Sequence, residues 1–458
     1  MSRNRPVDVP RLRGCEGERM SYAEFLSRKR RVVFGNGMAV TSGDVNPMLF
    51  DFQRAIVAWA VKKGRAAVWA DTGLGKTFMQ LEWARITSCR TLIFAPLCVA
   101  EQTAGEALKL GMTLRYARNE AEATDAEYVI TNYERLDDFD LSDYGAVVLD
   151  ESSILKAFDG KTRGRLIEAC KRVPYRLCCT ATPSPNDIAE LANHAEFLGL
   201  MKNSEFLATW FVKDSNSNQY RLKGHARQPF FRWLASWAIS IKKPSDIGFD
   251  DGDYELPPLH VHDHVIDVDG PVAGCLFPEM GTKGLSGRLS ARRASLEDRV
   301  ATAAHLVGAD LGHGDCQWMI WCGLNEESDG LYQAIPQSVA VAGSDTYAEK
   351  VGAVQGFLNG SVRHLVSKAK ILGFGMNFQH CHHQAFVGMS DSYEAYYQCV
   401  RRSWRFGQTQ PVHAHVIFSE AEKVVIENVR RKEAAARELS VELVAQMSDF
   451  EREELIAV

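Results

Sequence analysis

The chain has 458 residues, of which 46% are apolar, 24% charged and 10% aromatic, with a formal net charge of −5. That length implies two or three domains, and no run approaches the roughly 18 apolar residues of a membrane span or forms a secretory leader, so a cytoplasmic protein with no membrane partner is expected. Eleven cysteines without a C-x-x-C pair suit reduced, buried thiols better than a disulfide framework or zinc site, and the mild negative charge confines any nucleic-acid contact to local grooves.

Residues 1–44 carry nine Lys/Arg against five Asp/Glu, with a cluster at Arg28-Lys29-Arg30-Arg31, and read as a basic lead-in. Ser21 to Glu24 has the form of a capping box. Next comes Phe52-Gln53, ahead of an amphipathic stretch. The Gln53 amide, which donates and accepts together, suits an adenine edge or an ordinary helix start.

The apolar run Ala66-Ala67-Val68-Trp69 feeds Ala70-Asp71-Thr72-Gly73-Leu74-Gly75-Lys76-Thr77 and then a helix-like segment. A strand, a glycine turn and Lys-Thr at a helix start form a phosphate cradle. Thr72, Gly73 and Gly75 supply backbone, Lys76 reaches the β/γ-phosphates, and Thr77 offers its hydroxyl to Mg²⁺. Ala70 stands where the usual pattern has its first glycine.

Apolar runs at 66–70, 92–95, 128–130, 146–149 and 177–180 alternate with helical segments. Continuous apolar runs fit parallel strands covered on both faces, an α/β architecture. One run, Val147-Val148-Leu149, emerges into Asp150-Glu151. Phosphoryl transfer to water needs one carboxylate on Mg²⁺ and another group to position the water, tasks that suit Asp150 and Glu151.

Leu256-Pro257-Pro258 reads as a linker into a second series of apolar runs at 318–321, 339–341, 364–366, 385–387 and 412–417. In Gln398-Cys-Val-Arg401-Arg402-Ser-Trp-Arg405, Arg402 and Arg405 share a helix face. A guanidinium brought to the γ-phosphate from a second lobe stabilises transition-state charge. The tail 419–458 has helical spacing.

The order Leu49-x-x-Phe52-Gln53, A-D-T-G-L-G-K-T, Ala95-Pro96, Ile130-Thr131-Asn132-Tyr133, Asp150-Glu151-Ser152-Ser153, Thr180-Ala181-Thr182-Pro183 and Q-x-x-x-R-x-x-R-x-G-Q resembles superfamily 2 helicases. The branch it most resembles is the Swi/Snf-like one, in its phage- or prophage-encoded type. A basic residue after Asp-Glu (Lys156), and Asn186 with Glu190-Leu191 after Pro183, fit that pattern. So do Asp391 and the residues that lead from it to the arginines.

The resemblance implies two tandem RecA-like (P-loop NTPase) lobes with parallel sheets flanked by helices. Lobe 1 would span 45–256, including a helical, aromatic insertion at about 200–250. Lobe 2 would span 257–418, ahead of the helical tail 419–458. It implies ATP and Mg²⁺ as cofactors, Arg402 and Arg405 at the γ-phosphate, and Gln398 near the nucleotide. Pro96 and Thr131-Asn132-Tyr133 would lie along a nucleic-acid backbone, with Lys368 at a backbone-contacting strand end. Gly375 would sit in a glycine-rich segment close to nucleotide and nucleic acid. Thr180 and Thr182 would couple ATP state to lobe movement. Ser152-Ser153 departs from the family's usual pair.

The implied activity is nucleic-acid-stimulated ATP hydrolysis driving a DNA helicase or translocase. The alternatives are a duplex translocase without strand separation, an RNA track, or a nucleotide-gated module recruiting a replication, recombination or nuclease partner.

Three other clusters stand out. Between 206 and 243, Phe206, Trp210, Phe230, Trp233 and other aromatics interleave with cations that include Arg221 and Lys223. They form either a nucleic-acid track or an internally packed protrusion. His380-Cys381-His382-His383 lacks a second ligand group at metal spacing and reads as a turn. His260, His262 and His264 alternate as on a strand between the lobes.

Overall fold

Among the described residues nine strands open the fold: β1 Arg65–Ala70, β2 Thr91–Ala95, β3 Leu114–Tyr116, β4 Tyr128–Asn132, β5 Ala146–Asp150, β6 Tyr175–Cys179, β7 Phe211–Lys213, β8 Tyr220–Leu222 and β9 Ala238–Ile241. Six follow: β10 Leu259–Ile266, β11 Trp318–Cys322, β12 Ser338–Val341, β13 His364–Lys368, β14 His383–Val387 and β15 Val412–Ser419. The computed structural model describes residues 35–96, 99–156, 160–184, 187–214, 220–267, 292–310, 316–373, 376–390 and 392–456. The basic lead-in to residue 34, Asn186, Gly375 and Asp391 lie outside them.

Two large sheets result, ordered β3-β4-β2-β5-β6-β1-β9 and β10-β15-β14-β11-β13-β12. Every pairing given for them is parallel. The ten apolar runs of the sequence fall on β1, β2, β4, β5, β6 and β11 to β15. Burial on both faces explains why those runs are continuous. On β5, Val147 and Leu149 join one core while Ala146 and Val148 join the other. The second sheet divides likewise, with Met319 and Trp321 of β11 facing one core and Trp318 and Ile320 the other.

The aromatic segment resolves in favour of packing. Phe206, Trp210, Phe211, Phe230, Phe231, Trp233 and Trp237 are all buried in the first sheet's core, where Trp237 sits edge-on to Trp69 of β1. The segment also supplies β9, which completes that sheet beside β1.

The tail is a single helix, Lys423–Ile456, that ties the two halves together. Ile426 and Val429 pack in the second sheet's core, whereas Leu443, Met447 and Leu455 pack in cores of the first. At 1.5 Å per residue its 34 residues span about 50 Å. Arg227 pairs with Glu442, and Arg232 lies over the Phe450 ring. Among the described residues no helix is long and apolar enough to cross a membrane.

Beneath the second sheet Glu327, fully buried, accepts from the guanidinium groups of Arg292 (2.9 Å) and Arg299 (2.8 Å) and from the backbone N–H of Gly323 and Leu324. Removing one member of such a network leaves buried charge uncompensated. Glu327→Ala is expected to lower unfolding stability by about 3–5 kcal/mol, read as a shifted denaturant midpoint.

Candidate active site

The C-terminal ends of β1, β5 and β6 converge beneath the second lobe, where open parallel sheets carry their sites. After β1 the chain turns through Asp71–Gly75 and starts the helix Lys76–Thr87, so Thr72, Gly73, Gly75, Lys76 and Thr77 are brought together. The turn demands glycine twice. Gly73 has φ +94°, and a Cβ there would lie 2.9 Å from the Phe406 nitrogen. Gly75 has φ +78°, and its Cβ would meet the Gln53 amide nitrogen at 2.2 Å.

Gln53 is buried and both ends of its amide are used. It accepts from Phe50 N–H (3.0 Å) and donates to the Leu74 carbonyl (3.0 Å). The side chain expected to read adenine therefore braces the glycine turn. The Lys76 ammonium donates to the carbonyls of Ala70 (2.9 Å) and Asp71 (3.3 Å). Burial pulls its pKa down, opposed by the charges of Glu151, Asp71 and Asp150.

Asp150 ends β5 in a buried position. Its pKa is pushed up to about 7, first by burial and then by the Glu151 charge, against the pull of Lys76. Glu151 takes a left-handed φ of 57°, which a non-glycine residue holds only at a cost of about 1–3 kcal/mol. Its carboxylate accepts from the Thr180 hydroxyl (3.2 Å), which in turn accepts from Thr182 N–H (3.1 Å). The two threonines thus connect the strained acid to the loop after β6.

The second lobe approaches through the helix Tyr393–Ser403. Arg401 crosses the gap: its guanidinium donates to the Thr72 carbonyl (2.7 Å) and pairs with Asp71 (3.0 Å). The Tyr397 hydroxyl donates to the same carboxylate, and Lys156 pairs with Glu394. Phe406 packs against Gly73 and stacks on Tyr254 at 4.5 Å, with Phe50 edge-on at 6.4 Å. The lobes are closed on each other at the glycine turn.

Arg402 points elsewhere. It is buried and donates to the Gln398 carbonyl (2.9 Å), the Gln398 side chain (2.7 Å) and the Met376 carbonyl (2.8 Å), all within its own lobe. Arg402 and Gln398 are therefore occupied with each other. Arg405 lies nearer the turn, its Cβ being 3.6 Å from the position of a Cβ on Gly73. Its Nε is buried without a hydrogen-bond partner among the described residues. Burial, then the charges of Arg402 and Arg401, push its pKa down to about 10. The Glu106 charge acts in the opposite direction.

The residues expected along nucleic acid fare differently. Thr131, Asn132 and Tyr133 are buried; the Tyr133 hydroxyl donates to the Asp150 carbonyl (2.6 Å) and its ring stacks on Phe94. Tyr133 supports the acidic strand end from inside and does not lie on a surface track. Lys223 donates to the carbonyls of Ala208 (2.6 Å) and Thr209 (3.1 Å), capping the helix Asn203–Trp210. Arg221 is exposed, Pro96 lies half-buried just past β2, and Lys368 ends β13 with its ammonium on Asn325.

Sequence reasoning passed over Asp71, Tyr397 and the aromatic lid of Tyr254 and Phe406. Arg401 was visible beside Arg402 and Arg405, but its target, a backbone carbonyl over 300 residues away, leaves no trace in spacing. Beside the contact lies a cavity of ≈ 450 Å³ shared by Asp71, Thr182 and Pro183, by Tyr397 and Arg401, and by the tail helix at Arg437.

The donor set fits the groups expected there. A buried carboxylate and a helix-start hydroxyl are hard oxygen ligands of the kind Mg²⁺ takes, and the glycine turn with Lys76 and Arg405 offers cations to a polyphosphate. Against known proteins, no family model matches the chain, and no curated protein matches it either.

Proposed function

We propose that the chain is a nucleic-acid-stimulated ATPase, a helicase or translocase that hydrolyses ATP between two RecA-like lobes and moves along DNA. The observation that carries this reading is the junction itself, with the glycine turn and Lys76 on one side and the arginine helix and Arg405 on the other. The order of motifs along the chain supports it independently.

In this mechanism Lys76 exchanges its two carbonyl acceptors for phosphate oxygens, and the backbone N–H groups of the turn orient the same anion. Thr77 and Asp150 would hold Mg²⁺, which when bound would neutralise phosphate charge. Glu151 orients the attacking water, and Arg405 meets the charge that develops as the bond breaks. Thr180 and Thr182 relay a change at Glu151 toward the lobe junction. The contact from Arg401 to Asp71 and Thr72 sets how tightly the lobes close.

Asp150 gives the site a pH dependence. Its raised pKa means that the native state keeps a proton the unfolded chain releases near 3.8. Without metal, this group's contribution to stability is full below 3.8 and falls as pH rises to about 7. Mg²⁺ needs the ionised form, so its affinity is expected to drop by about tenfold per pH unit below 7. Isothermal titration of Mg²⁺–nucleotide between pH 5.5 and 8, with Asp150→Asn as control, checks this: the variant should bind weakly and without that slope.

The track is tested by measuring ATP hydrolysis with no nucleic acid, single-stranded DNA, duplex, forked DNA and RNA. Stimulation by a DNA form is the expected result. Turnover that ignores all five conditions would remove the motor reading, and ATP-dependent clamping without turnover would favour a recruitment module.

A further inference from the structure

In the fold the His380–His383 string lies beside a cysteine, and the strand carrying His260 reaches it through His413. Cys316 lies just before β11, and His382 and His383 lie at the start of β14. β11 and β14 are parallel neighbours with Trp318 opposite His383, which brings residues 67 apart in the chain to one sheet edge. One ligand atom from each of Cys316, His382 and His383 lies within 4.8 Å of the others, and all three side chains are partly open to solvent. The second ligand group missing from the His380–His383 string is supplied by Cys316.

We propose that Cys316, His382 and His383 form a binding site for a divalent transition metal of the zinc class. A thiolate with two imidazoles is the donor set that borderline-soft ions select, and three protein ligands leave one position for water. Bond lengths of about 2.0–2.3 Å require ligand atoms roughly 3.4–3.8 Å apart. Rotation of half-exposed side chains closes the remaining ångström without moving the strands.

The backbone around the ligands is already fixed. The Cys381 thiol donates to the carbonyls of Gln317 and His383 (both 3.2 Å), joining the two segments that carry the ligands. The Gln317 amide donates to the carbonyls of Phe357 (2.7 Å) and Val362 (2.8 Å). Along the same row, rings stack across four strands: Trp318 on His383 at 4.9 Å, His383 on His413 at 5.3 Å, and His413 on His260 at 5.1 Å. This row holds the His383 ring in one plane, as an outer shell does for a metal-bound imidazole.

The site lies at the N-terminal ends of β11 and β14, with the segment after the arginine helix close by: Gln408 donates to the Cys381 carbonyl (3.1 Å), and Gln384 to the Val400 carbonyl (3.3 Å). The metal acts as a clip on β11 and β14.

The test is Co²⁺ titration of the full chain after chelation, followed by absorption. One equivalent should bind and give a sulfur-to-cobalt charge-transfer band. Cys316→Ala should remove the band, and either Cys316→Ala or His382→Ala should weaken binding by at least the about tenfold that loss of an outer-shell partner causes. His262→Ala, outside the ligand set, should leave the band in place. Zn²⁺ should raise the thermal midpoint of the wild type and not of Cys316→Ala. No bound Co²⁺, a spectrum without the sulfur band, or a band that survives Cys316→Ala would each overturn the site. The wild-type spectrum remains decisive if a variant fails to fold.

Discussion

Arg405→Ala is expected to slow ATP hydrolysis by about 10³–10⁵-fold at saturating Mg-ATP, the range for losing an arginine that meets transition-state charge. Nucleotide affinity should change far less, because in the proposed mechanism the glycine turn and Lys76 hold the ground state. The expectation follows from Arg405's position: it lies against Gly73, its Nε lacks an acceptor among the described residues, and Arg401 and Arg402 repel it. Single-turnover hydrolysis beside equilibrium nucleotide binding separates the two effects, and equal losses in both would assign Arg405 to binding.

Its neighbours should behave differently. Arg402→Ala leaves Gln398 and the Met376 carbonyl short of a donor inside the second lobe, so its loss of activity should come with a lowered thermal midpoint. Arg401→Ala releases the grip on Asp71 and Thr72. It should loosen lobe closure and raise KM more than it lowers kcat.

The second large effect lies on the other side of the junction. Lys76→Ala and Glu151→Gln should each reduce stimulated turnover by at least about 10²–10³-fold, the scale of removing one electrostatic stabiliser. They are expected to part in binding. Lys76→Ala deletes the ammonium proposed to meet the phosphates, so nucleotide affinity should fall. Glu151→Gln keeps the shape and the hydrogen bond from Thr180, removes the charge, and should still bind ATP. Wild-type turnover in either variant would refute the role given to it.

Much of the fold was legible because buried parallel strands write themselves as short apolar runs. Val147-Val148-Leu149 and Met319-Ile320-Trp321 need no partner to be recognised, since both of their faces are covered. β9 was hidden because Ala238–Ile241 sits inside a segment dominated by aromatics and cations. Those aromatics pack internally for the same reason: Trp233 and Trp237, four apart on one face, meet each other at 5.3 Å rather than a base. The tail read as helical from its spacing. Its path across both lobes depends on Ile426 and Leu443 finding different cores, which no local pattern encodes.

The spacing of Lys76, Asp150 and the arginines pointed to segments that the fold brings near one another. It did not decide which side chain faces which. Gln53 and Tyr133 are absorbed into bracing the turn and the acidic strand end, because buried polar groups find partners wherever the fold offers them. Arg401 and Arg402 are adjacent, so the helix turns them about 100° apart, and only one can cross the junction.

Phosphate release from Mg-ATP by the purified chain, with and without DNA and beside Glu151→Gln, tests most directly whether both lobes act on one triphosphate. DNA-stimulated release at least about 100-fold above the variant is the expected outcome. Release at the same rate from both proteins, or from neither under any condition, would contradict it.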